Sequence, residues 1–185
     1  RQLSRPNPMV GAVIVNRGGV LGEGFHIRCG EGHAEVNAFA SVCPEDEPLL
    51  KDATIYVSLE PCAHYGKTPP CCYLIIKKGV RRVVVGCADP FAKVQGRGIE
   101  KIRQAGIEVT VGVLEDECRW LNRRFFTFHE KHRPHIILKW AQTENGFIDD
   151  DGKPLAISTP FTKQLVHKMR SEEDAIVVGR TTWER

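Results

Sequence analysis

Residues 10–15 read Val-Gly-Ala-Val-Ile-Val, a β-branched run closed by Asn16-Arg17-Gly18-Gly19. A second run over residues 20–25 follows, so the pattern predicts a hairpin around a glycine turn. Residues 31–42 place Ala34, Ala38 and Val42 at helical spacing, with Val36 and Phe39 beside them. Residues 54–59 are mostly β-branched and aromatic and predict a strand. Residues 71–78 predict a helix closed by Gly79, since glycine is favoured just past a helix end. Residues 82–87 are an apolar strand expected to be buried on both faces. A helix over 98–104 stopped by Gly106, a strand over 107–111 and a longer helix over 115–128 continue the series. This alternation predicts an α/β fold with helices on the faces of the sheet.

A boundary is expected at residues 130–134, a polar stretch ending in Pro134, which disfavours helix before it. Beyond it the pattern predicts a strand over 135–140, a loop rich in Asp and Gly, a helix over 162–170 and a strand over 175–178. About fifty residues are too few for a comfortable core of their own. They read as the opening of a second α/β domain whose remainder is missing. Two domains are therefore expected, 1–130 and 134–185.

Composition changes this picture little. The apolar share of 42% and charged share of 26% are ordinary for a soluble globular protein. Apolar runs such as residues 83–85 and 136–138 are far too short to cross a bilayer. No apolar segment follows a basic start at the N-terminus, so no secretory signal is read, although a chain beginning at Arg1 leaves a trimmed leader open. Seven cysteines, an odd number, argue against a disulfide framework and for a reducing, cytoplasmic setting. The net charge is only +3. The basic clusters Lys77-Lys78, Arg81-Arg82 and Arg119 with Arg123-Arg124 read as solvated helix faces, so neither nucleic acid nor membrane is expected as a partner.

The candidate chemistry lies at the junctions between elements. His33-Ala34-Glu35 opens a predicted helix, Pro61-Cys62 follows a predicted strand and Cys71 starts another helix. One imidazole and two thiolates suit a three-ligand zinc site that leaves the fourth position for water, whose pKa falls to about 7 on zinc. Glu35 stands beside this set, where a carboxylate can take a proton from the water and return it to a leaving nitrogen. His-x-Glu followed by Pro-Cys-x-x-Cys is the general zinc-deaminase pattern. Here eight residues, Ala63 to Pro70, separate Cys62 from Cys71, and a longer loop adds little closure entropy. A structural zinc would need a fourth protein ligand, for which Cys72 and His64 are the candidates.

With these residues in place, Pro6-Asn7-Pro8-Met9-Val10-Gly11, Gly32-His33-Ala34-Glu35 and the stretch from Leu59 through Pro61-Cys62-Ala63-His64-Tyr65-Gly66-Lys67-Thr68-Pro69-Pro70-Cys71 resemble the deaminase part of the bifunctional riboflavin-biosynthesis deaminase–reductase family. An enlarged loop between the two cysteines is the rule in that family. The resemblance implies a three-layer α/β/α cytidine deaminase-like domain with a mixed sheet. It also implies the substrate diaminohydroxyphosphoribosylaminopyrimidine, whose ring amino group would be exchanged for a carbonyl with release of ammonia. Asn7, His64, Lys67 and Asp89 would contact that ribotide. The family often has Asn where this chain has Phe91, so Phe91 is not carried over. Residues 137–146, Ile-Leu-Lys-Trp-Ala-Gln-Thr-Glu-Asn-Gly, resemble the start of the family's NADPH-dependent, dihydrofolate reductase-like domain. By matching positions Ala141, Ala156 and Thr182 would touch NADPH and Arg170 a substrate phosphate, although Ala156 stands where tryptophan is common.

Competing readings are a nucleoside, nucleotide or tRNA-base deaminase and, in a different class, a zinc-stapled binding module. The enlarged loop with His64 and Lys67 speaks against a free base, and the lack of a basic, aromatic-rich groove against a polynucleotide. Redox chemistry at Cys71-Cys72 is disfavoured because adjacent cysteines rarely meet disulfide geometry. The partner expected is a small phosphoribosyl-pyrimidine, with homo-oligomerisation left open.

Overall fold

The structure is a computed structural model that describes residues 3–65, 69–91, 94–150, 153 and 155–184. It divides into two compact units, Leu3–His135 and Ile136–Arg185.

In the first unit β1 (Gly11–Asn16) and β2 (Gly19–Phe25) form the expected hairpin. β3 (Thr54–Leu59), β4 (Arg82–Cys87) and β5 (Glu108–Val111) extend it into a five-stranded mixed sheet of order β2-β1-β3-β4-β5. β1 is antiparallel to β2 and β3, whereas β3, β4 and β5 run parallel. The parallel connections are helical, through α2 (Cys71–Lys78) and α3 (Arg97–Gln104). Every residue of β4 from Val83 to Cys87 is buried, as a central parallel strand requires.

One face of the sheet carries Ala12, Ile14, Ile55, Val57, Val83 and Val85. These pack with Ala34 and Ala38 of α1 (Ala34–Ala40), Ile75 of α2, and Ile99 and Ile102 of α3. α1 lies hard against β2: a Cβ at Gly24 would collide with the α1 backbone at Ala34 and Ala38. A smaller cluster of Leu59, Cys87 and Phe126 sits on a second focus near the end of β4.

In this unit two features depart from the pattern-based expectation. A 3-10 stretch, Pro44–Asp52, fills the interval before β3 and buries Leu50. The single helix expected over 115–128 is two, α4 (Glu115–Leu121) and α5 (Arg123–Lys131), broken at Asn122. The Asn122 side chain accepts from Met9 N–H at 2.8 Å and donates to Met9 C=O at 2.7 Å. It thus pairs with a backbone over a hundred positions away, which helical periodicity cannot register.

In the second unit α6 (Pro160–Ser171) forms, capped by the Thr159 hydroxyl on Thr162 N–H at 3.2 Å, and the short α7 (Arg180–Trp183) follows. The expected strands over 135–140 and 175–178 are not formed: among the described residues the only bridge here joins Asp150 and Lys153. A strand is held by cross-strand hydrogen bonds and pairs of side chains, and neither segment has a paired neighbour. No described helix is long and apolar enough to cross a membrane.

Candidate metal centre

Three junctions of the first unit converge. His33 is the residue before α1, in extended conformation; Cys62 follows β3; Cys71 is the first residue of α2. His33 Nδ1 lies 3.5 Å from Cys62 Sγ and 3.3 Å from Cys71 Sγ. All three donor atoms fall within 4.8 Å of one another. Zinc bonds of about 2.3 Å to sulfur and 2.0–2.1 Å to nitrogen, at tetrahedral angles, put ligand atoms about 3.6 Å apart. The spacing and the donor chemistry therefore fit zinc.

The local electrostatics favour an anionic sulfur. The Cys71 thiol donates to Cys62, which pulls Cys62 down to about 4, assisted by His33 and by Cys71 N–H at 3.3 Å from Cys62 Sγ. The same hydrogen bond pushes Cys71 upward. Partnership with Cys62 raises His33. Helix starts carry free N–H groups that stabilise thiolates, and the one at the head of α2, Cys71 N–H, is spent on Cys62 Sγ.

Glu35, in the first turn of α1, is 3% exposed. Burial pushes its carboxyl up to about 7, so it exchanges a proton near neutral pH. Cys72, a candidate fourth ligand, is instead wholly buried among the apolar residues of the core. His64 is not in the donor cluster; its ring stands 6.4 Å from Phe91, whose ring is 5.2 Å from that of His129 on α5.

Asp89 sits just past β4 and is 8% exposed. Its carboxyl rises to about 6, chiefly through burial, while Phe91 N–H donates to Oδ1 at 2.8 Å. Asn7 Nδ2 lies 3.0 Å from His26 Nε2, and His26 Nδ1 3.1 Å from the Gly32 carbonyl. A carbonyl only accepts, so Nδ1 carries the hydrogen, Nε2 accepts, and the Asn7 amide donates. Lys67 lies outside the described residues. Ala141, Ala156 and Arg170 line one cavity of about 350 Å³ in the second unit, with Lys139, Lys163 and His167; Thr182 lies on α7 and is not among its lining residues.

Sequence reasoning passed over Glu60 and His26. Glu60, 4% exposed, accepts from the backbone N–H groups of Asp89, Gly96, Gly98 and Ile99 at 3.2, 2.9, 3.0 and 3.3 Å. Its one available signal was a carboxylate wedged between an apolar strand and Pro61-Cys62.

A mixed sheet whose strand and helix ends bring together one histidine, two cysteines and a buried glutamate is a cytidine deaminase-like fold carrying a donor set that fits zinc. Residues 1–87 match the cytidine and deoxycytidylate deaminase zinc-binding region, and residues 134–185 the RibD C-terminal domain. The riboflavin biosynthesis protein RibD of Aquifex aeolicus is 46% identical over 180 residues, covering 97% of this chain and 49% of that protein. The Escherichia coli protein of the same name is 40% identical, covering 98% and 49%. A Thermotoga maritima structure is described as a diaminohydroxyphosphoribosylaminopyrimidine deaminase/5-amino-6-(5-phosphoribosylamino)uracil reductase. It superposes with a TM-score of 0.88 at 45% identity, covering 97% of this chain and 51% of that one. The chain belongs to this family of riboflavin-biosynthesis deaminase–reductases. It spans about half the length of the curated relatives it matches.

Proposed function

We propose that residues 1–130 form a deaminase domain that hydrolyses the ring amino group of diaminohydroxyphosphoribosylaminopyrimidine, giving the aminouracil ribotide and ammonia. The observation that carries this reading is the His33, Cys62, Cys71 donor set beside the buried carboxylate of Glu35. One zinc per chain would be held by His33 Nδ1 and the two sulfurs. Zinc bound there supplies a water acidic enough to react at neutral pH. Glu35 accepts a proton at its carboxylate from the attacking water and returns it to the leaving nitrogen; its value near 7 suits both transfers. Water adds its oxygen to the ring carbon, the carbon–nitrogen bond breaks, and the amino group departs as ammonia.

Asn7 and Asp89 would orient the pyrimidine and ribose, and His64 and Lys67 the phosphate. Residues 134–185 would be the N-terminal part of an NADPH-dependent reductase domain. The cavity lined by Ala141, Ala156 and Arg170 supports a place there for cofactor and phosphate, with Thr182 as a further NADPH contact. The test is ammonia release, with mass spectrometry of the product, from purified zinc-loaded protein and the ribotide. Uracil ribotide and stoichiometric ammonia are expected. Zinc binding without ammonia would leave a binding module, and turnover of a nucleoside in preference to the ribotide would leave a different deaminase.

A further inference from the structure

Glu60 ends the strand-side approach to Cys62, separated from it only by Pro61. Its carboxylate is 4% exposed, yet both oxygens are fully used. Oε2 accepts from Asp89 N–H at 3.2 Å and Gly96 N–H at 2.9 Å, and Oε1 from Gly98 N–H at 3.0 Å and Ile99 N–H at 3.3 Å. Glu60 N–H in turn donates to the Cys87 carbonyl at 3.0 Å, at the end of the strand that leads to Asp89. The contact is built for closeness on the other side too: a Cβ at Gly98 would collide with the Pro61 carbonyl. Gly96 has φ +75°, a left-handed conformation that glycine adopts without strain. Three separate features thus bring one segment bearing a metal ligand, one loop bearing Asp89 and the start of α3 onto a single carboxylate.

We infer that Glu60 is a positioning residue that fixes Asp89 relative to the Cys62 ligand, and so sets how the substrate lies against the metal centre. This rests on the reading of Asp89 as a substrate contact. A charged acceptor is suited to the task because a carboxylate offers about four lone-pair sites and no hydrogen, matching four converging donors. An amide in its place would aim an NH2 at two of those N–H groups.

The test compares the zinc-loaded protein with Glu60→Gln, Asp89→Asn and the double variant. In Glu60→Gln the amide-proton resonances of Asp89, Gly96, Gly98 and Ile99 should move together, with zinc retained. KM for the ribotide should rise about tenfold while kcat changes less than about threefold. In the Asp89→Asn background the same substitution should leave KM unchanged, since coupled residues are not additive. Equal KM rises in both backgrounds, or loss of zinc and kcat with KM constant, would overturn the proposal and leave Glu60 a fold residue. An Asp89→Asn variant with unaltered KM overturns it as well. Should Gln prevent folding, Glu60→Asp keeps the charge and shortens the reach, and the same cycle is read with it. If the unaltered protein releases no ammonia from the ribotide, the proposed function fails on its own. Calorimetric binding of the ribotide to the same four proteins then decides the coupling.

Discussion

Glu35 and Asp89 are both buried carboxyls whose charged forms are disfavoured by lost hydration, and the two pay for it differently in function. For Glu35 the consequence is a carboxyl raised to about 7, the range that the proposed proton transfers need. Glu35→Gln should keep zinc and most ribotide affinity and lose turnover by about 10²–10⁴-fold, measured as ammonia release alongside metal content. For Asp89 the raised value of about 6, against 3.8 for the free group, means the folded state prefers the protonated form. Its favourable contribution is complete below pH 3.8 and is lost as pH rises through about 6. Asp89→Asn keeps the acceptor for Phe91 N–H and removes the buried charge. That variant should therefore be more stable than the unaltered protein at pH 7.5, by about 1–3 kcal/mol, with the advantage fading towards pH 4, while ribotide affinity falls. Thermal unfolding across pH checks the first part; an advantage that grows on acidification would reverse the sign. The convergence of His33, Cys62 and Cys71 was legible in the sequence because a metal-type donor set constrains residue type and spacing directly. Glu60 and His26 were not, since each acts on backbone groups or side chains far away in sequence. Such contacts leave no periodic trace.

At the scale of elements, hydrophobic period sufficed where burial decides the structure. β3, α2 and β4 occupy the predicted residues because their apolar sets face one core. It failed where a polar side chain decides, as with Asn122, which ends α4 to bind the Met9 backbone. It failed also at residues 135–140 and 175–178, whose strand-like composition meets no pairing partner among the described residues. The convergence of His33, Cys62 and Cys71 depends on elements held at close range, above all α1 on β2. Gly24→Ala places a methyl group against α1 backbone atoms that cannot rotate aside. Overpacking of this kind costs about 1–3 kcal/mol or more, and α1 carries Glu35 and begins directly after His33. The variant should show a lowered Tm together with weakened zinc retention on dialysis against a mild chelator. A lowered Tm with zinc retention unchanged would mean that the seating of α1 does not govern the ligand geometry.

Across the whole molecule, stability is distributed unevenly. Among the described residues the buried apolar side chains all lie between Ala12 and Phe126, and the five paired strands between Gly11 and Val111. Among the described residues of 136–184 none is buried, and Ile136, Leu138, Trp140, Phe147, Phe161 and Val177 are all well exposed. Regions with few buried apolar contacts open at low free-energy cost, and proteases cut what opens. Cleavage of the 185-residue chain should therefore begin within residues 136–184 and leave a resistant fragment ending near residue 135. That fragment holds every residue of the donor set, together with Glu35, Glu60 and Asp89, so it should retain zinc and ammonia release with the ribotide. The kinetic signature is two-phase: fast loss of intact chain, slow loss of activity. Mass spectrometry of the fragments, followed over time with activity measured on the same samples, checks both halves. First cuts inside residues 3–135, or activity that disappears in step with the intact chain, would show that the second unit supports the first and that the deaminase is not a self-sufficient folding unit.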